Sequence, residues 1–255
     1  MTARWLGPVL ALALIAPALA DAADFGKLQK RLEPHYRAYR PDGTGPLPAV
    51  MMVSGCSGFT PSVAPTSYTA VAERLKGEGF LVIFVDYLAA RGLSRCFEQG
   101  RYRVDFDDIA QDVLASAAYL RARLDVKAAD ITVIGWSWGG GGVLEALRAA
   151  GEAVPFRAAV AFYPACEGVR PWKAAIPVLM LLGALDDVAP ARTCQSLARK
   201  LPTASPVEVR VYEEARHGFD ASELSGVVRH PAGTMGYNEA AARAAWGEVE
   251  KILGR

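Results

Sequence analysis

The sequence predicts an α/β protein with a mostly parallel central sheet and helices on both faces. Three observations carry that expectation. Short continuous apolar runs alternate with segments of helical period, and strands buried on both faces read as unbroken runs. The chain has 255 residues, 52% hydrophobic and 22% charged, which is globular composition. Neither a Gly-X-Y nor a heptad period interrupts it, so fibrous classes are excluded. The net charge of +1 offers no electrostatic footprint for nucleic acid or an anionic membrane surface, which leaves a small molecule as the expected partner.

The elements follow in order. Arg4, the apolar run from Val9 to Leu19 and Ala18-Leu19-Ala20 have the charge, length and small-x-small pattern of a cleaved signal peptide over residues 1–20. An uncleaved anchor would need about 20 apolar residues without Pro, and Pro17 breaks this run. The remainder, residues 21–255, is expected to be one exported domain, periplasmic or secreted, with no stable membrane insertion. His35 to Arg40 suggests an early strand, and Gly43-Thr44-Gly45-Pro46 a turn. Strands are expected at Ala49–Val53, Leu81–Val85, Ile131–Ile134, Ala158–Tyr163 and Val178–Leu182, each a short apolar or β-branched run, and at Val207–Tyr212. Helices are expected at Tyr68–Glu78, Asp105–Leu124, Gly140–Ala150, Arg192–Leu201 and Asn238–Leu253. Tyr87 to Arg103 reads as a loop.

One turn carries chemistry. Gly135-Trp136-Ser137-Trp138-Gly139 lies between a buried strand and a helix, the setting in which Gly-x-Ser-x-Gly projects its serine from a sharp turn. Outside that setting the pattern is an ordinary Gly-rich turn. The further glycines through Gly142 suggest close approach of this helix to the sheet. Serine needs a base, and histidine has a pKa near working pH. Of His35, His217 and His230, only His217 follows the last strand in a loop and completes the order serine, acid, histidine; His230 is the fallback. The acid is Asp186 or Asp187, in the loop leaving Val178–Leu182, with the other free to cap a turn; Asp86 is a minor competitor.

From about Pro48 onward the chain resembles the dienelactone hydrolase family of α/β-hydrolases. The resemblance rests on Gly-Trp-Ser-Trp-Gly-Gly at 135–140, Phe-Tyr-Pro-Ala-Cys at 162–166, Gly-Ala-Leu-Asp-Asp at 183–187 and Ala-Arg-His-Gly-Phe-Asp at 215–220. It implies the α/β-hydrolase fold, Asp186 as the acid, and Ser54-Gly55-Cys56-Ser57-Gly58 as the oxyanion loop, with the backbone amides of Cys56 and Trp138 as donors. The best-known members carry Cys where this chain has Ser137 and Glu where it has Gly55. The serine form looks more like the general esterases of the family.

The implied activity is hydrolysis of small-molecule esters or lactones through Ser137, Asp186 and His217, with no cofactor and no metal. Phe59, Tyr87, Arg91, Trp136 and Trp172 are candidate substrate contacts, Arg91 for a carboxylate. The alternative for each aromatic is packing, and for Arg91 a solvated charge. A silent binding protein on the same fold, or a peptidase or acyltransferase with the same triad, are the competing readings. In an exported protein, Cys56, Cys96, Cys166 and Cys194 suggest disulfides. Their loops follow neighbouring strands, which favours 56–96 and 166–194 over four buried thiols. No feature bears on oligomeric state.

Overall fold

The computed structural model describes residues 25–59 and 65–255, so the expected signal peptide lies outside the described residues. Residues 25–32 form a first helix, α1. The strands are β1 (Tyr36–Tyr39), β2 (Leu47–Val53), β3 (Leu81–Val85), β4 (Phe97–Glu98), β5 (Arg101–Tyr102), β6 (Val126–Trp136), β7 (Ala158–Phe162), β8 (Val178–Gly183), β9 (Val207–Tyr212), β10 (Val228–His230) and β11 (Gly233–Met235). The remaining helices are α2 (Pro65–Gly77), α3 (Phe106–Ala122), α4 (Ser137–Ala150), α5 (Ala191–Arg199) and α6 (Glu239–Leu253).

Seven of these strands make the main sheet, in the order β1-β3-β2-β6-β7-β8-β9. All neighbouring pairs are parallel except β1 with β3. Alternation along the buried strands separates two cores. Met51, Val53, Ile83, Val85, Val133 and Met180 face one side, where α3, α4 and α5 pack. Val50, Met52, Val82, Phe84, Ile134 and Leu181 face the other, covered by α2 and α6. Each fully buried Val, Leu, Ile, Met or Phe contributes about 1.5–3 kcal/mol, so the unbroken apolar runs specify both layers at once.

Helix ends follow local chemistry. Asp105 caps α3: its carboxylate accepts from the Asp108 amide at 2.8 Å, and the Asp108 carboxylate accepts from the Asp105 amide at 3.3 Å. Asn238 caps α6 by accepting from the Ala241 amide at 2.9 Å, and such caps contribute about 1 kcal/mol each. Helix α4 differs from the expected Gly140 start, because it begins at Ser137 itself. Its glycines also face differently from expectation. Only Gly139 is pressed against the end of β2, at the carbonyls of Ser54 and Val53; a Cβ at Gly141 or Gly142 would strike Phe106 or Ile109 of α3. The run lets two helices approach each other, as well as the helix and the sheet.

Two hairpins lie where a loop or no element was expected. In β4–β5, Gln99 and Gly100 both have positive φ, 54° and 78°, as a two-residue type I′ turn requires. In β10–β11, His230 pairs with Gly233 around a Pro-Ala turn. Both hairpins stand outside the main sheet and next to the site described below.

Candidate active site

The site lies beyond the carboxyl ends of β2, β6, β8 and β9. The chain moves from β2 to β3 on one side and to β6 on the other, and that reversal opens a crevice between β2 and β6. The segment after β2 supplies Ser54 to Gly58, and β6 delivers Ser137.

Ser137 has φ of +51°, a left-handed conformation that costs a non-glycine residue about 1–2 kcal/mol. Close packing holds it there. A Cβ at Gly135 would come within 2.9 Å of the Gly140 Cα and the Gly139 carbonyl. As the first residue of α4, Ser137 leaves the Trp138 amide in the first helical turn, where N–H groups lack intrahelical acceptors and the dipole favours negative charge.

The Nε2 of His217 is 2.8 Å from Ser137 Oγ, and its Nδ1 is 2.8 Å from Asp186 Oδ2. Both side chains are almost fully buried. The other carboxylate oxygen, Oδ1, accepts from the amides of Val188 at 2.9 Å and Ala189 at 2.7 Å. Asp186 is thereby fixed with one oxygen left to face the imidazole. The loops of acid and base are strapped together: the Leu185 amide donates to the Ala215 carbonyl at 3.0 Å, and Gly183 packs on that carbonyl so closely that a Cβ would lie 2.5 Å away.

Asp187 faces away. It accepts from the Thr234 amide at 2.6 Å and from the Thr234 hydroxyl, and the backbone donor draws its pKa below the usual carboxylate range. Thr234 belongs to the β10–β11 hairpin, whose Met235 bridges His217 and whose following Gly236 donates to the His217 carbonyl at 3.1 Å. Asp187 therefore supports the base through that hairpin. His230 lies exposed in the same hairpin and accepts from the Ala232 amide; Asp86 caps a turn by accepting from the Ala89 amide at 3.0 Å.

The candidate substrate contacts are each engaged by neighbouring groups of the protein. Tyr87 is fully buried, with its hydroxyl on the backbone of the segment after β2. Arg91 is engaged by buried Asp112 and donates to the Tyr87 carbonyl at 3.0 Å. Trp172 is packed in the α3–α5 core. Trp136 is buried on the α2–α6 side and donates to Asp220 at 2.9 Å. Phe59 is half-buried, 4.8 Å from the Phe84 ring and beneath the Arg37 guanidinium. Burial accounts for Tyr87, Trp136 and Trp172, because aromatic rings near a sheet edge gain more by completing a core than by facing solvent. Trp138 stacks on Tyr102 of β5 at 3.9 Å and donates to the Val104 carbonyl.

The structure adds residues that were not singled out in the sequence. Asp220, three positions after His217, accepts from Tyr163 at 2.6 Å and from Trp136, and burial raises its pKa. The Tyr163 ring lies 4.6 Å from the His217 ring, so Asp220 ties the segment before the serine to the face of the base. Tyr68 accepts from the Gly55 amide at 3.0 Å. Asp220 had a visible signal, being the last residue of the Ala-Arg-His-Gly-Phe-Asp motif. The structure pairs Cys56 with Cys96 and Cys166 with Cys194.

A seven-stranded, mostly parallel sheet with a serine, histidine and aspartate at its carboxyl edge defines an α/β-hydrolase. Residues 35–255 match the dienelactone hydrolase family, and the chain belongs to that family. Similar solved structures include a dienelactone hydrolase candidate from Klebsiella pneumoniae subsp. pneumoniae, at 23% identity and TM-score 0.68, covering 86% of this chain and 92% of the other. A dienelactone hydrolase-like promiscuous phosphotriesterase from metagenomic libraries has 20% identity and TM-score 0.65 over 86% and 97%. Esterase 2 of Thermogutta terrifontis, in its form phosphorylated by paraoxon, has 18% identity and TM-score 0.62 over 86% and 87%. No curated protein matches the chain.

Proposed function

We propose that the protein is a serine hydrolase that cleaves neutral small-molecule carboxylic esters or lactones through an acyl-enzyme on Ser137. The observation that carries this reading is the unbroken chain from Asp186 through His217 to Ser137, with 2.8 Å at each link. Ser137 Oγ attacks the carbonyl carbon while His217 Nε2 takes its proton. Asp186 keeps the proton on Nδ1 and stabilises the imidazolium. The Cys56 and Trp138 amides hold the tetrahedral oxyanion, each worth about 3–4 kcal/mol in the transition state. Collapse returns the proton to the leaving alkoxide, and water then repeats the sequence on the acyl-enzyme.

Substrate neutrality is supported by Arg91, the candidate for a carboxylate, which is held by Asp112 and Asp108. A short acyl group is supported by the Thermogutta esterase, described as propionate-bound and butyrate-bound. Export of residues 21–255 as one domain, after removal of 1–20, is supported by the two disulfides, which belong to oxidising compartments. Among the described residues no helix is long and apolar enough to cross a membrane.

The test pairs wild type with Ser137→Ala on short p-nitrophenyl esters and lactones, together with fluorophosphonate labelling. Wild type should label on Ser137, and the variant should lose about 10,000-fold or more in kcat. Equal rates in the two proteins overturn the mechanism. Absence of both label and turnover in folded wild type favours the silent binding protein.

A further inference from the structure

The proposed oxyanion donor at Cys56 sits on the 55–56 peptide, which the Cys56–Cys96 disulfide holds from the Cys56 side only. Gly55 precedes it, and a glycine lets the adjoining peptide planes turn with little steric resistance. Residue 55 also packs against the nucleophile, since a Cβ there would lie 3.2 Å from Ser137 Cβ. On the Gly55 side the direction of the peptide must therefore be set by contacts from other elements.

Two buried tyrosines grip this backbone from different elements. Tyr68 of α2 accepts from the Gly55 amide at 3.0 Å. Tyr87, just beyond β3, has its hydroxyl 3.2 Å from the Gly55 carbonyl and 3.4 Å from the Ser54 carbonyl. The Gly58 amide also donates to the Gly55 carbonyl, at 3.1 Å. In a trans peptide the C=O of residue 55 and the N–H of residue 56 point in opposite directions within one plane. Fixing the Gly55 carbonyl toward Tyr87 consequently aims the Cys56 N–H away from it. Turning that peptide over would strip the buried Tyr87 hydroxyl of its nearer acceptor.

We infer that Tyr87 and Tyr68 are positioning residues that set the oxyanion donor by holding the peptide groups on either side of Gly55. The inference rests on the ester hydrolysis proposed above. It assigns Tyr87 a role quite different from substrate contact, and it gives Tyr68, a helix residue with no motif around it, a part in the same reaction.

Tyr87→Phe and Tyr68→Phe keep the rings and remove the hydroxyls. Each should lower kcat for an ester about 10- to 100-fold, since a misaimed donor loses part of what a deleted one loses, with KM nearly unchanged. The loss should shrink for the matching thionoester, because sulfur is a weak acceptor and draws less on the N–H. A purely structural defect would lower both substrates alike. Equal losses on the two esters, or unchanged kcat in both variants, overturn the inference. A crystal structure of the double variant reads the peptide without any substrate: it should show the 55–56 peptide turned or in two orientations, and a peptide in its original direction overturns the inference. If wild type hydrolyses no ester, the functional reading fails by itself, and the crystal structure decides the role of the tyrosines.

Discussion

At the scale of single residues, adjacent side chains of one chemical type carry different tasks. Asp186 and Asp187 are equivalent in composition and position on the loop, and the residues alone left both open; the family resemblance favoured the first. The structure separates them by their hydrogen-bond partners. Asp186 has one oxygen filled by two amides and the other on His217, whereas Asp187 binds Thr234. Asp186→Asn should lower kcat by about 10,000-fold, by permitting the wrong imidazole tautomer. Asp187→Asn keeps an oxygen that accepts from the Thr234 amide, and with it the hairpin behind His217, so it should leave kcat within about threefold at neutral pH. Steady-state kinetics of both decide it, and equal losses would mean that the roles are misassigned. The lowered pKa of Asp187 also has a sign: its charged form is favoured by the fold, so its contribution is present above the unfolded-state pKa and fades as pH falls through the folded value. The tyrosines on Gly55 were not legible, because a hydroxyl's partner is fixed by tertiary approach across 13 and 32 positions.

At the scale of elements, the sequence was most legible where burial is two-sided. Leu81–Val85, buried at every residue, has the expected bounds, since an unbroken apolar or β-branched run leaves little choice of conformation; Val207–Tyr212 also has them, but by the Val-Glu-Val-Arg-Val alternation of an edge strand. The two hairpins were missed because their strands have only two or three residues and their stability comes from what they rest upon. The Gln-Gly and Pro-Ala-Gly turns were the available signals. Another unread contact joins the turn after β3 to α3. Arg91 pairs there with Asp112, whose carboxylate is raised to about 6, burial outweighing the guanidinium. A raised acid pKa means that the fold favours the protonated form, so its stabilising effect is complete below the unfolded value and is lost as pH rises through about 6. Arg91→Met leaves the carboxylate with only the half-exposed Arg31 guanidinium, 3.8 Å away, and should destabilise the protein by about 3 kcal/mol at pH 8. At pH 5, where Asp112 can be neutral, the cost should be smaller. Urea unfolding at the two pH values measures this, and a cost independent of pH would rule out the buried carboxylate as its source.

At the scale of the whole molecule, one sheet gathers residues from 54 to 217 at a single edge, and the order of motifs already implied such a gathering. Pocket shape was not legible, because the loops that shape it are placed by the hairpins and by covalent links. Those links make the last prediction. Cys56–Cys96 and Cys166–Cys194 close loops of 40 and 28 residues, and the chain-entropy account gives each about 3.5–4 kcal/mol. Removing either pair should therefore lower the thermal midpoint by a similar amount. Their effects on rate should differ. Cys56 carries the proposed oxyanion donor, and its carbonyl accepts from the Cys96 amide at 2.7 Å, so the first disulfide joins the β4–β5 hairpin directly to the reacting center. The second reaches Ser137 indirectly, through a neighbouring amide, that of Ala165, on the Ser137 carbonyl. At a temperature where both variants remain folded, Cys56→Ser with Cys96→Ser should reduce kcat about tenfold, part of the effect of one oxyanion donor. Cys166→Ser with Cys194→Ser should stay within about twofold on the same basis. Circular dichroism melts beside ester kinetics separate the two quantities. If kcat falls equally in both variants, or only in proportion to the unfolded fraction, the first disulfide stabilises the chain without bracing the oxyanion loop.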